Sequence, residues 1–214
     1  MSALEAYHDD VRVRVARAVR ARGYVGHSED WHVVGASGDH GMISTQRNRL
    51  SDDRLVFRVH LAVTPGPWWE YLGWSDLTPR TTHGLWRQTL TPTTDHVEHR
   101  GERWWLVHDR DSARRCGVDV LRGLTGGGFD QVGRLLHRPT LIRTVRRGDL
   151  GRRRAFRHVL LTELLLLHAD EGDALGFARV VAELDKDLPP SGPVLAWAEE
   201  RLQLRTRTRA SPEA

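Results

Sequence analysis

The sequence predicts an α+β fold: an N-terminal helix packed on an antiparallel sheet of about five strands, followed by a C-terminal helical region. Three observations carry that prediction. Leu4, Val11, Val15, Ala18 and Val19 recur at helical spacing. Leu55, Phe57, Val59, Leu61 and Val63 alternate with more polar residues, as in a strand with one buried face. Beyond residue 112 the apolar spacing is helical almost to the end.

Each element has its own signal. Ser2-x-x-Glu5 reads as a capping box, Asp9 and Asp10 lie early and Arg17, Arg20 and Arg22 late, so a helix over about 3–22 suits its own dipole. Trp31 to Ala36 and Gly41 to Arg47 read as strands joined at Ser37-Gly38-Asp39, and the turn Leu50-Ser51-Asp52-Asp53 leads into the strand over 53–64. Pro65-Gly66-Pro67 ends it, and an aromatic segment from Trp68 to Trp74 follows. Leu85 to Leu90 and Arg103 to Val107 are two more expected strands, with a polar excursion through 91–102 between them. Helices are expected near 112–124 and 129–138 with Gly126-Gly127-Gly128 as a flexible joint, then over 152–169, over 173–184 and from Pro193. Pro189-Pro190 breaks the chain before the last of these. The expected organisation is an α+β domain over 1–148, a helical cap over 149–205 and a loose tail over 206–214.

Composition narrows the class. Hydrophobic residues make up 39% and charged residues 28%, which suits a globular core and excludes a fibrous or disordered chain. The longest greasy run, Val159 to Leu167, is far short of the ~20 residues of a membrane span, so no membrane association is expected. Residues 1–10 hold three acids and no apolar run, unlike a signal peptide, and Cys116 is the lone cysteine, so a cytoplasmic setting is expected.

Of 32 basic residues only Lys186 is a lysine, a bias that codon usage in a GC-rich genome explains. The distribution is more informative. Residues 112–157 hold twelve arginines against three aspartates, and the densest part carries Arg143, Arg146, Arg147, Arg152, Arg153, Arg154 and Arg157 against Asp149 alone. Such a run is either a phosphate-contacting surface or one half of an ion-pair network with acids such as Glu163, Asp170, Glu171 and Asp173.

Motifs for common chemistries are missing. There is no Gly-Lys-Ser/Thr phosphate loop, no strand followed by G-x-G-x-x-G and no G-x-S-x-G elbow, so no cofactor and no catalytic residue are expected. His96-x-x-His99, with Glu98 between and His108 beyond, has the residue types of a zinc or iron site. Its polar setting reads better as a solvated loop, and no metal is expected. Cys116 between arginines could be an activated thiol, but without a base it reads as a packing residue.

The second face of the sheet is the best candidate site. If the odd positions of 53–64 are buried, Arg58 and His60 point the other way, and Ser44 and Gln46 of the neighbouring strand can join them. Gln46, Arg58 and His60 therefore form a polar patch suited to a small anion or a peptide. Trp68-Trp69 and Trp104-Trp105 offer a second route to a partner, because adjacent strand residues face opposite sides and one of Trp104 and Trp105 should leave the core.

Arg22-Gly23-Tyr24, Met42-Ile43-Ser44-Thr45-Gln46-Arg47-Asn48, Phe57-Arg58-Val59-His60-Leu61-Ala62-Val63 and Trp104-Trp105, in this order over about residues 5–140, resemble the bacterial family known as domain of unknown function 4304. Tyr24 stands where that family typically has phenylalanine. The resemblance implies an α+β intracellular domain and brings no catalytic residue. The function expected is a non-enzymatic cytosolic interaction domain that binds a protein partner or small ligand. The alternative is a nucleic-acid-associated protein using residues 143–157.

Overall fold

The computed structural model describes residues 2–187 and 192–210. The chain is α+β, with an N-terminal helix, a seven-stranded antiparallel sheet and a set of C-terminal helices. Ser2 caps the first helix through the expected reciprocal box with Glu5. Helix α1 (Ala3–Ala6), a π-helical stretch (Tyr7–Arg12) and α2 (Val13–Arg20) follow one another with helical backbone angles at each junction. Val11, Val15 and Val19 along it are fully buried.

The sheet runs β1-β2-β3-β4-β7-β6, from β1 (Val25–His27), β2 (Asp30–Val34), β3 (His40–Arg49), β4 (Leu55–Thr64), β6 (His96–His99) and β7 (Glu102–Val107). Strand β5 (Trp86–Thr89) also pairs with β4. β5 takes the stretch His60–Val63 of one β4 edge and β7 takes Leu55–Phe57 of the same edge, so the sheet forks there. Two strands exceed the sequence expectation. β1 is three exposed residues with no periodicity to read. β6 lies in the supposed polar excursion, whose residues alternate between exposed and half-buried because only one side of this edge strand is covered.

All five odd positions of β4 are buried, as the alternation requires. Tyr7 of the first helix sets its ring 5.1 Å from Phe57 and donates to Thr45 Oγ1 at 3.0 Å, which fixes the helix on this face. Phe57 stacks on Trp105 at 5.3 Å. Each such side chain taken fully out of water contributes ~1.5–3 kcal/mol. The aromatic segment after β4 is a short helix, α3 (Gly66–Tyr71). Helix α4 (Arg110–Gly123), capped by Asp109, packs beside the first helix.

The Gly126–Gly128 joint falls, as expected, where two helices meet. The chain kinks there between α4 and α5 (Phe129–Leu135), with Gly127 at φ +148° and ψ −21°, a backbone conformation open to glycine. Helix α6 (Arg138–Arg146) exceeds the sequence expectation as well; Pro139 starts it after the extended His137. Helix α7 (Arg157–Asp170) begins five residues later than its apolar pattern suggests, because the segment before it is recruited by the sheet. Gly151 bridges Arg87 in parallel, with Arg87 N–H donating to Leu150 O at 3.2 Å and Arg152 N–H to Arg87 O at 2.6 Å. Helices α8 (Ala174–Asp187) and α9 (Gly192–Ala210) complete the chain. Helix α9 includes 206–210, which were expected to be loose; Pro189-Pro190 and 211–214 lie outside the described residues.

One buried apolar cluster extends from Ala3 to Ala198, across the expected boundary at 148. A buried ionic network spans the same boundary. Arg138, 1% exposed, donates to both oxygens of Asp39 at 2.8 and 2.9 Å, to Asp170 at 2.9 Å and to Ser37 O at 2.7 Å. Asp39 also accepts from Gly66 N–H at 2.9 Å, and Asp170 accepts from Arg201 and Arg205. The β2–β3 turn, α3, α6, α7 and α9 therefore meet on one arginine.

Candidate anion-binding site on the second sheet face

Register places the candidate residues. Ser44 faces His60 across β3 and β4, Gln46 faces Arg58, and His60 faces Thr89 of β5. Cross-strand partners share a face, so these side chains form two adjacent rows opposite the buried odd positions. They line a depression of about 920 Å³ at the fork of the sheet, rimmed by Arg47, Arg80, Arg87 and Arg152 and by Glu29, Asp30 and Glu102. With Arg58, five arginines face three carboxylates there.

Gln46, Arg58 and His60, singled out together from the sequence, are directly bonded. Gln46 Oε1 accepts from Arg58 Nη2 at 3.2 Å and lies 3.1 Å from His60 Nε2. A guanidinium only donates, so the oxygen of Gln46 points inward and His60 Nε2 must carry hydrogen. His60 Nδ1 is then an acceptor, and Thr89 Oγ1, 3.0 Å away, donates to it. Burial first, then Arg58, Arg152 and Arg87, bring the His60 pKa down to about 4, so the ring is neutral at physiological pH. Protonation would add a further cation to a partly desolvated ring of guanidinium groups.

The arginines differ in their partners. Arg58 lies over the Trp104 ring at 4.2 Å and pairs with Glu102, while its Nε is buried without a hydrogen-bond partner. Arg152 pairs with the other oxygen of Glu102, and Arg47 with Glu29 at 2.6 Å. Arg87 and Arg80 have no carboxylate within 4.0 Å among the described residues; Arg87 reaches only the Thr82 carbonyl, at 3.5 Å. Burial and Arg153 lower the Arg87 pKa. Asp30, across the depression, is shifted upward by burial. Such a depression offers fixed positive charge with hydroxyl, amide and imidazole groups for orientation, a set matched to carboxylate or phosphate oxygens.

The seven arginines of 143–157 are not brought together. Arg152 turns into the depression, carried there by the Gly151 bridge. Arg153 sits 4.0 Å from buried Glu163, and Arg146 and Arg157 lie 3.8 and 3.7 Å from Glu183. Arg143 bonds Thr140, while Arg147 and Arg154 are exposed. Of the acids expected to balance this run, Glu163 lies near Arg153, whereas Asp170 serves Arg138, Arg201 and Arg205.

The remaining candidates separate cleanly. His96 and His99 are three apart on a strand and point to opposite faces, and the described residues hold no group of three potential metal ligands. Cys116 is fully buried and burial drives its thiol pKa strongly upward, as befits packing rather than attack. Trp104 does leave the main core, but Arg58 and His99 cover it and it is buried. Trp31, Trp69, Trp86 and Trp105 are buried too, Trp68 and Trp197 are half-buried, and Trp74 is exposed. Sequence reasoning missed Arg87, Thr89 and Glu102, whose membership depends on the fork. It also missed Asp119, which takes hydrogen bonds from Thr93 N–H at 2.7 Å and Trp105 Nε1 at 2.9 Å and pins the chain between β5 and β6.

The chain matches no protein-family model, no curated protein and no solved structure. No helix among the described residues is long and apolar enough to cross a membrane.

Proposed function

We propose that this chain is a non-enzymatic cytosolic binding domain that takes a small anionic ligand, bearing a carboxylate or phosphate, on the second face of its sheet. One observation carries the reading: Arg58, Arg87 and Arg152 converge on a neutral His60 in a depression of about 920 Å³, and Arg87 there has no carboxylate partner among the described residues. The neutral imidazole, Gln46, Ser44 and Thr89 supply orientation without cancelling that charge. A small ligand fits better than a flat protein surface, since most of the tryptophans that would anchor a protein are buried. The nucleic-acid alternative loses force because Arg146, Arg152, Arg153 and Arg157 are near acids. The motif resemblance to the domain of unknown function 4304 adds no support.

The test is titration calorimetry of the full chain with inorganic phosphate and, separately, citrate. Saturable binding to one of them is expected, weakened at least tenfold in Arg87→Gln. Absence of binding by both, or binding indifferent to Arg87→Gln, overturns the proposal.

A further inference from the structure

Glu102 is placed oddly for a residue that merely balances charge. It opens β7 straight after the tight turn Arg100-Gly101, both at positive φ, and reaches back into the depression. One carboxylate oxygen meets Arg58 Nη1 and the other Arg152 Nη2. Two guanidinium groups gripping the two oxygens of one carboxylate is how arginines hold a bound oxyanion. The grip is unequal. The Arg58 side chain is only 12% exposed, pressed on Trp104, whereas that of Glu102 is 32% exposed. Arg87, the third guanidinium acting on His60, takes no part in it.

We infer that Glu102 is an internal stand-in for the ligand's anionic group, and that an incoming phosphate or carboxylate takes over Arg58 and Arg152 while Glu102 turns out to water. This rests on the anion-binding reading above and locates the anion within the depression. Arg58 is desolvated and needs a negative partner at all times, so exchange of one anion for another is open to it where an empty site is not. A ligand gains over Glu102 by engaging Arg87 as well, and phosphate gains further by its greater charge. Glu102 can leave cheaply, being at a strand end on the exposed rim. The stand-in also sets specificity, because a neutral ligand or one without paired oxygens cannot displace it.

The experiment is phosphate and citrate titration of the full-length chain and of Glu102→Gln, Arg152→Gln and Arg87→Gln, each first checked for cooperative melting. Glu102→Gln removes the competitor and is expected to tighten binding at least tenfold, which equals about 1.4 kcal/mol. Arg152→Gln is expected to weaken it by a similar factor, and it decides the question if Glu102→Gln does not fold. Whichever probe shows the larger gain in Glu102→Gln identifies the anionic group. Binding unchanged by Glu102→Gln or by Arg152→Gln, yet weakened by Arg87→Gln, overturns the stand-in and leaves the anion-binding reading intact. No binding to the parent chain or to Glu102→Gln overturns both.

Discussion

Replacing Arg138 by methionine tests the claim that one buried arginine holds the sheet and the helices together. The native guanidinium makes four hydrogen bonds within 2.9 Å, two to Asp39, one to Asp170 and one to Ser37 O. Methionine fills much of the volume and removes the charge. Asp170 keeps Arg201 and Arg205, but Asp39, 0% exposed, is left with the Gly66 amide alone. The variant therefore carries one uncompensated buried carboxylate, a defect that costs about 3–5 kcal/mol. For a chain of this size each kcal/mol moves the midpoint by about 2–4 °C, so the melting temperature should fall by roughly 6–20 °C. Urea denaturation with a melting scan at neutral pH measures it. Adding Asp39→Asn to Arg138→Met should return part of the loss, since the stranded charge is then gone. A loss below about 1 kcal/mol, or no recovery in the double variant, would refute the dependence of Asp39 on Arg138.

Three further outcomes follow from individual groups. Glu163 is fully buried, neither carboxylate oxygen has a hydrogen-bond partner, and burial raises its pKa to about 8. The folded state thus binds the extra proton between about pH 4.5 and 8, stability falls as pH rises through that window, and Glu163→Gln should flatten the fall in melting temperature. His60 has the opposite sign: its folded pKa of about 4 lies below the unfolded 6.5, so its contribution is present above 6.5 and is lost as pH falls towards 4. An NMR titration should place its midpoint well under the ordinary histidine value of 6.5, and bound phosphate should raise it. Gly151→Ala presses a methyl onto Arg87 O at a φ of +64°, so it should cost about 1–3 kcal/mol and weaken phosphate binding through Arg152. Unchanged melting and unchanged affinity in that variant would dissociate the bridge from the site.

The part of the fold legible in the sequence is the part set by local periodicity. The capping box at Ser2, the valine stripe of the first helix and the odd positions of β4 each depend on residues a few positions apart. From β4 alone the direction of Arg58 and His60 followed, and register supplied Gln46. Arg87, Thr89 and Glu102 were illegible because they join only when β5 and β7 divide one edge of β4. The late start of α7 was equally hidden: residues 152–156 suit a helix, but backbone hydrogen bonds to Arg87 draw Arg152 into the sheet. The Arg138 network was invisible for the same reason, since Asp39 and Asp170 are ordinary surface residue types until tertiary packing buries them.

The parallel bridge at Gly151 bears on how the chain can be cut. A fragment ending near residue 148, where composition shifts, would keep Ser44, Gln46, Arg58, His60, Arg87, Thr89 and Glu102 yet lose Arg152 and the backbone clamp on β5. Glu102 would then hold Arg58 without a rival cation, and the fragment's affinity for anions would describe a different balance of charges from that of the whole chain. If the proposed anion site is occupied, residues beyond 148 help to set its charge balance from the edge of the sheet, and binding measurements need them present.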